Sequence, residues 1–244
     1  RMGILTIKEK WHQLLGIEKS STYTELHLRS KFPFHVEGIN LCINSSLLPH
    51  DELVKSVKAL ETNQMLFKDG VWLAGVFTEQ LQSDFDDCNM KPFDVREYTG
   101  EVESFDNTWD IFSLCGKELA KDFILLTSGK KSQAISSTNT IIGDASKIFL
   151  EHGAKVEASI LNTTAGPIYL AADTEIMEGC MVRGPFALGE HAQLKMGAKI
   201  YGPSSIGPYC KVGGEVNNSV FFGYSSKAHD GFLGNSVIGE WCNL

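Results

Sequence analysis

The sequence predicts an α/β domain over residues 1–130 followed by a parallel β-helix of hexapeptide repeats over residues 140–244. Three observations predict this. Between Leu170 and Val212 an aliphatic residue occupies every sixth position: Leu170, Ile176, Val182, Leu188, Leu194, Ile200, Ile206 and Val212. Two residues before most of these stands a small side chain: Thr174, Cys180, Ala192, Ala198, Ser204 or Cys210. Third, this stride is lost over residues 1–130, where apolar runs alternate with a helical pattern. Period six is neither the 3.6 of a helix nor the 2 of a flat strand. It fits a chain that turns a corner every six residues and buries one aliphatic side chain per side, with the small residue letting the corner close.

The first part reads in order as follows. Ile4 to Leu15 is a helix ending before Gly16. Ile39 to Ile43 is a short apolar run, expected as a buried strand. A helix fits Asp51 to Glu61, with Leu53, Val54, Val57 and Leu60 on one face. Val71 to Phe77 reads as a second buried strand, and strand–helix–strand predicts parallel pairing. Glu79 to Asp87 is acidic and expected to be exposed. A further helix opens at Asn107 to Phe112 and continues through Leu119 to Leu126, and polar Ser128 to Thr138 reads as the linker.

In the second part the stride extends back through Leu150 and Val156, and through Ile142 and Ile148, so the solenoid starts near Thr140. It slips by two residues within Leu161 to Pro167 and again within Gly213 to Ser219, where glycine and asparagine accept the backbone of a bulge or turn. After the second slip the expected inward series is Val220, Ser226, Phe232, Ile238 and Leu244. The span to Leu244 makes between five and six coils. The chain opens at Arg1-Met2 and stops inside a coil, without the polar cap a solenoid end needs. Both domains therefore read as truncated, the first at its N-terminal side and the second at its C-terminal side.

A formal charge of −8 argues against a nucleic-acid footprint. Nothing approaches the roughly 18 apolar residues of a membrane span, and no signal peptide is visible. The six cysteines have no short paired spacing and read as reduced core residues of a cytoplasmic protein.

Residues Ser226-Lys227-Ala228-His229, Leu233-Gly234-Asn235 and Ile238-Gly239-Glu240 resemble the Ser-Lys-Ala-Gly-His, Leu-Gly-Asp and Ile-Gly-led repeat of one family. This is the bifunctional N-acetylglucosamine-1-phosphate uridyltransferase/glucosamine-1-phosphate acetyltransferase family. Trp109-Asp110-Ile111 is similar to the Trp-Asp-Leu that closes the nucleotidyl domain of archaeal relatives. The order of domains also resembles glucose-1-phosphate thymidylyltransferase-like proteins. The resemblance implies a Rossmann-like nucleotidyltransferase-like domain and a left-handed β-helix. It further implies a cytoplasmic homotrimer acting on a sugar phosphate or nucleotide sugar, with acetyl-CoA or another acyl-CoA as donor, and Mg²⁺ where nucleotidyl transfer occurs. Two departures stand out. No glycine-rich phosphate loop is present and would have to lie before Arg1. The stretch Asn44-Ser45-Ser46, at the place of the family's Mg²⁺-holding aspartate, offers no carboxylate.

His229 is the candidate general base, because the matching histidine in that family takes the proton of the attacking amine. The match is one residue short before Leu233-Gly234, and a plain surface histidine at a solenoid corner is the simpler alternative. Asp230 would orient the imidazole or cap a turn. Asn217 and Asn218 stand near the family's phosphate-contacting lysine pair; they offer hydrogen bonds without charge. Lys227 and Arg183 are the cations near the relevant faces, and Tyr224 and Trp241 would line a groove or pack against a neighbour. His191 and His229 each follow a stride residue by three, which places them on one face two coils, or about 10 Å, apart. That is too far to share a metal, and no metal site is expected. The leading reading is acyl transfer on a sugar phosphate at the solenoid. The rivals are sugar-1-phosphate nucleotidyl transfer using residues upstream of Arg1, and a non-catalytic trimeric scaffold that binds a sugar nucleotide.

Overall fold

The computed structural model describes residues 1–78 and 93–244. The chain forms two compact units: Ile7–Phe105, and Asp106–Leu244 together with Arg1–Thr6. The acidic stretch Glu79 to Asp87 and Cys88 lie outside the described residues.

The first unit is a mixed α/β fold. Its elements are α1 (Ile7–Leu15), β1 (Ile39–Ile43), β2 (Leu47–Leu48), α2 (Asp51–Lys58), β3 (Gln64–Lys68), β4 (Val71–Thr78), β5 (Asp94–Glu97) and β6 (Glu103–Ser104). The sheet order is β1-β4-β3-β5, and β2 pairs with β6. Leu53, Val54 and Val57 of α2 pack with Trp11, Leu47, Leu66 and Leu73 in one core. The Trp11 indole N–H donates to the Leu47 carbonyl at 3.1 Å, which gives this buried ring its polar partner.

Two expectations need correction here. β1 and β4 are antiparallel neighbours, not parallel ones. The reason is an extra strand: β3 turns into β4 through Asp69-Gly70, both with positive φ (50° and 79°), the hairpin turn that Asp-Gly favours. Nor is β1 fully buried; it is the sheet edge, with Ile39 and Leu41 exposed.

The second unit holds the solenoid, a parallel β-helix of about six turns with three faces. First-face strands begin at Thr140–Ile142 and end in Phe232–Glu240; second-face strands run from Ile148–Leu150; third-face strands run from Lys155–Val156 to Ser226–Lys227. Parallel ladders put like positions above one another. Leu161, Val182, Ile200 and Val216 form one inward row. Leu150, Leu170, Leu188, Ile206 and Phe221 form a second. All eight aliphatics of the unbroken stride are buried, from Leu170 to Val212. Each buried aliphatic of this size contributes roughly 1.5–3 kcal/mol.

Outside that span the register differs from the sequence expectation. Ile141, not Ile142, packs inward in the first coil. After Val212 the inward residues are Val216, Phe221, Lys227, Leu233 and Ile238, and the Ser226–Asn243 bridge sets Leu244 above Lys227, so Ile238 and Leu244 of the expected series keep their places. Phe232 is exposed, Val220 is replaced by Phe221 and Ser226 by Lys227, and Leu244 is exposed in the last coil described. The coil between Val212 and Lys227 is shortened at two successive corners, not one: Glu215–Gly223 runs as a single strand through the first of the remaining bends.

The second face is covered on its outer side. Helices α3 (Asp110–Ser113) and α4 (Cys115–Thr127) replace the single expected helix. Leu119 and Phe123 of α4 pack with Ile4 on Phe149, Tyr169 and Ala187. Asp122 accepts the Ile4 and Leu5 backbone N–H groups at 2.9 and 3.0 Å, and the Ser205 hydroxyl donates to the Gly3 carbonyl at 2.6 Å. The expected linker is not a free tether. Ser132 and Gln133 bond the backbone of Leu150, Gly153 and Ala154, and Ser136 and Thr138 both donate to Glu157. Those two bonds hold the Glu157 carboxyl below its usual pKa. Of the described cysteines Cys115, Cys180 and Cys210 are buried, Cys42 is half-buried and Cys242 is exposed.

The register is testable by substitution. Leu188→Ala empties a fully buried position and is expected to cost roughly 2–5 kcal/mol. Phe232→Ala removes a ring that is 66% exposed and should cost no more than about 0.5 kcal/mol. Urea unfolding followed by circular dichroism measures both, and comparable losses would return Phe232 to the interior.

Candidate functional site

The solenoid has three corners, and the chemistry-bearing residues divide among them. At the corner between second and third faces the backbone enters the left-handed region in successive coils, at Asp173, His191, Tyr209, Tyr224 and Trp241, with φ from 52° to 62°. Four of these carry rings, and the rings stack. His191 and Tyr209 centroids are 4.8 Å apart, Tyr209 and Tyr224 5.1 Å, and Tyr224 and Trp241 4.8 Å; the last two pairs lie within 9° of parallel. The ladder has a sequence signal that was missed: each ring sits three residues after an inward residue, Leu188, Ile206, Phe221 or Ile238. Glu190 lies 3.5 Å from the His191 imidazole. Tyr224, expected to contact substrate, therefore has both ring faces occupied by neighbours of its own chain.

His229 lies at the corner between third and first faces. Its side chain is exposed, and no hydrogen bond to its ring is made among the described residues. Asp230 is exposed as well and does not bond the imidazole. Lys227 behaves differently from a surface lysine. It occupies the inward row of the third face above Val212, and it is buried. Its ammonium donates to the Gly213 carbonyl at 3.0 Å and to the His229 carbonyl at 2.9 Å. Burial pushes its pKa below the ordinary lysine value, and the Asp230 carboxylate partly offsets this.

Asn217 and Asn218 belong to the corner between first and second faces. Asn218 has φ 43° and donates through its side-chain amide to the Asn235 amide oxygen at 2.8 Å. Arg183 ends a first-face strand two coils below and points into solvent. One chain thus brings Lys227 to His229 and leaves Arg183, Asn217 and Asn218 on a second corner and Tyr224 on a third. His191 and His229 do not share a face, contrary to the spacing argument. Once Lys227 rather than Ser226 is the inward residue, His229 follows the third face while His191 precedes it. Among the described residues no group of three His, Cys, Asp or Glu side chains could hold a metal ion. No helix there is long and apolar enough to cross a membrane.

In the first unit, Asn44-Ser45-Ser46 forms the turn from β1 into β2. The Asn44 amide oxygen accepts both the Ser46 N–H and the Ser46 hydroxyl at 3.0 Å, and its amide nitrogen donates to the Trp72 carbonyl at 3.1 Å.

With both units described, the comparison with known families decides the first. A family model described as sugar nucleotidyl transferase matches residues 1–131. The chain belongs to the sugar nucleotidyl transferase family. The match spans the whole Ile7–Phe105 unit and continues through α3 and α4 of the second. No curated protein matches the chain. Family chemistry implies a divalent cation beside the transferring phosphates, and the Asn44 turn does not fit one. The Asn44 amide oxygen already accepts two hydrogen bonds, the remaining side-chain oxygens are neutral serine hydroxyls, and the turn holds no carboxylate. No step through a metal is derived for it.

The aromatic ladder predicts a stability effect. Tyr224→Ala removes two stacked pairs, each worth about 0.5–1.5 kcal/mol, so a loss of roughly 1–3 kcal/mol is expected. Thermal unfolding measures it, and an unchanged midpoint would show that the stack adds nothing.

Proposed function

We propose that this sugar nucleotidyl transferase family member acts on sugar phosphates in nucleotide-sugar metabolism and that its solenoid carries acyl transfer. In this reading His229 is the general base and acetyl-CoA the donor. The amine nitrogen of an amino-sugar phosphate attacks the thioester carbonyl. An N–C bond forms, the C–S bond breaks, the amine proton passes to the His229 imidazole and on to the departing sulfur, and coenzyme A leaves as the thiol. The observation that carries the reading is an exposed imidazole with no hydrogen bond to its ring among the described residues, set on a corner whose backbone is tied through Lys227 to the coil beneath. A base must have its ring nitrogen free to reach substrate.

Arg183, Asn217, Asn218 and Tyr224 lie on other corners and reach this histidine only from another copy. We therefore also propose a homotrimer packed through the solenoid, with Arg183, Lys195 and Tyr201 on the packed surfaces. Light scattering is expected to give about three times the 26.9 kDa chain mass. A monomer mass at micromolar concentration would overturn the trimer and with it a shared site.

The family match over residues 1–131 favours a second reading, nucleotidyl transfer to a sugar 1-phosphate. The two are separated by one set of assays on the same protein. With acetyl-CoA and an amino-sugar phosphate, His229→Ala should lower the rate by about 10²–10⁴, the usual worth of a general base, with the melting temperature unchanged. Equal rates in wild type and variant remove His229 from the mechanism. Metal-dependent pyrophosphate release from UTP or dTTP, with no thioester turnover, replaces acyl transfer by nucleotidyl transfer. Ligand-induced thermal stabilisation by nucleotide sugars with neither activity establishes a binding scaffold.

A further inference from the structure

We infer that Lys227 is the positioning residue that holds the His229 corner in place, rather than a contact to substrate phosphate. The inference rests on the acyl-transfer reading for its catalytic consequence, and on geometry alone for the clamp itself. Lys227 is the one charged residue in an otherwise aliphatic row. The third-face positions beneath it are Val156, Ile176, Leu194 and Val212. Its four-carbon stem continues that row, and the ammonium must then find acceptors inside the coil. It finds two on opposite sides of one corner. The Gly213 carbonyl belongs to the coil below, and the His229 carbonyl belongs to the turn above. The side chain therefore bridges the two coils where the third face turns into the first.

The coil below is shaped to receive that turn. A side chain at Gly213 would bring its Cβ to 2.4 Å from the Ala228 carbonyl oxygen. One at Gly214 would stand 2.7 Å from the Gly231 carbonyl oxygen and 3.0 Å from the Asp230 Cα, and Gly214 also has φ +70°. Residues 228–231 thus rest on bare backbone and are fastened at one point by Lys227. The turn makes few other tertiary bonds: the Gly213 N–H donates to the Lys227 carbonyl and the Glu215 N–H to the Gly231 carbonyl. Remove the ammonium and the His229 carbonyl loses its only side-chain donor, while the methylene stem still fills the row. The ammonium is 7% exposed as a residue and already carries two bonds, so a substrate phosphate would have to displace a coil contact to reach it.

The test uses the full chain and Lys227→Met, which keeps the stem and deletes both bonds. The melting temperature should stay within a few degrees, because the row remains apolar. Amide hydrogen exchange of residues 228–231 should accelerate by roughly tenfold or more, the effect of losing charge-assisted bonds at one turn. The His229 ring resonances should broaden or split while those of His191, on another corner, stay put. In the acetyl-transfer assay kcat should fall by about tenfold or more with KM for the sugar phosphate unchanged. Gly213→Ala, which pushes the same turn from below, should reproduce the exchange and kcat changes with Lys227 intact. Unchanged exchange at 228–231 in a folded Lys227→Met protein overturns the clamp. A raised KM for the sugar phosphate with kcat unchanged overturns it in favour of a phosphate contact. If wild type shows no acetyl transfer, the acyl-transfer reading fails, and the exchange and resonance data still decide whether Lys227 fixes the turn.

Discussion

Every coil of this solenoid must fill the same narrow interior, and that one constraint sets most of what the second unit does. A face contributes one or two inward side chains, and the parallel ladder places them directly on the equivalent residues of the next coil. The rows are therefore continuous columns of Leu, Ile and Val, and a gap in one coil is felt by two neighbours. The small residue before each inward position follows from the same constraint. Cys180, Ala192, Ala198 and Cys210 are all fully buried because the corner closes over them, and a larger side chain there would force the coil open. Burial also raises the pKa of the Cys180 and Cys210 thiols, which leaves them inert packing rather than nucleophiles.

Corners carry the departures from regularity, and they do so in three different ways. The corner between second and third faces spends unfavourable left-handed backbone on non-glycine residues and recovers energy by stacking their rings. The corner between first and second faces pairs Asn218 with Asn235, residue types that tolerate positive φ. The corner between third and first faces uses Gly213-Gly214 and a buried lysine of the inward row. This last corner is where the exposed His229 imidazole projects, with no hydrogen bond to its ring among the described residues. Tyr209 and Tyr224, each stacked between two rings, have no free face for a ligand, whereas the His229 ring makes no hydrogen bond among the described residues.

The parts of the fold legible in the sequence were those governed by a fixed period. The run from Leu170 to Val212 could be read because each coil there has the same length, so one residue fixes all the others. Past Val212 the coils shorten, and an aliphatic pattern alone does not say whether Val220 or Phe221 turns inward. Both are buried: Phe221 inside the coil, Val220 above Ser205 on the helix-covered side. That cover was itself written in the chain. Ile148-Phe149-Leu150, Ile168-Tyr169-Leu170 and Phe186-Ala187-Leu188 are apolar at the outward middle position too, and a strand apolar on both sides needs a partner on each. In the first unit both helices and the strands β1 and β4 were visible in the sequence, but β3 was not, and the direction of β4 hung on Asp69-Gly70, a two-residue signal between β3 and β4. Lys227 was legible only as a cation. Its inward turn depends on a register that the shortened coil conceals.

The placement of the site residues constrains any mechanism more tightly than their identities do. A three-sided coil points its corners away from one another, so residues on different corners of one chain diverge with distance from the axis. His229 shares its corner with Asp230 and the Lys227 clamp, and the cations on the same corner, Lys195 and exposed Lys199, belong to the coil two turns below. An anionic sugar phosphate or the diphosphate of a coenzyme needs positive charge or oriented donors close to the reacting atoms. In the coil of His229 itself the corner supplies none of these beyond the engaged Lys227 ammonium. In the proposed trimer a second solenoid would bring more, with the Arg183 and Asn217 side of one copy facing the His229 corner of the next. Under that arrangement the general base and the anion contacts belong to different chains. Activity then depends on protein concentration as assembly does, and mixing a His229 variant with an Arg183 variant restores some intact sites, which no arrangement confined to a single chain would allow.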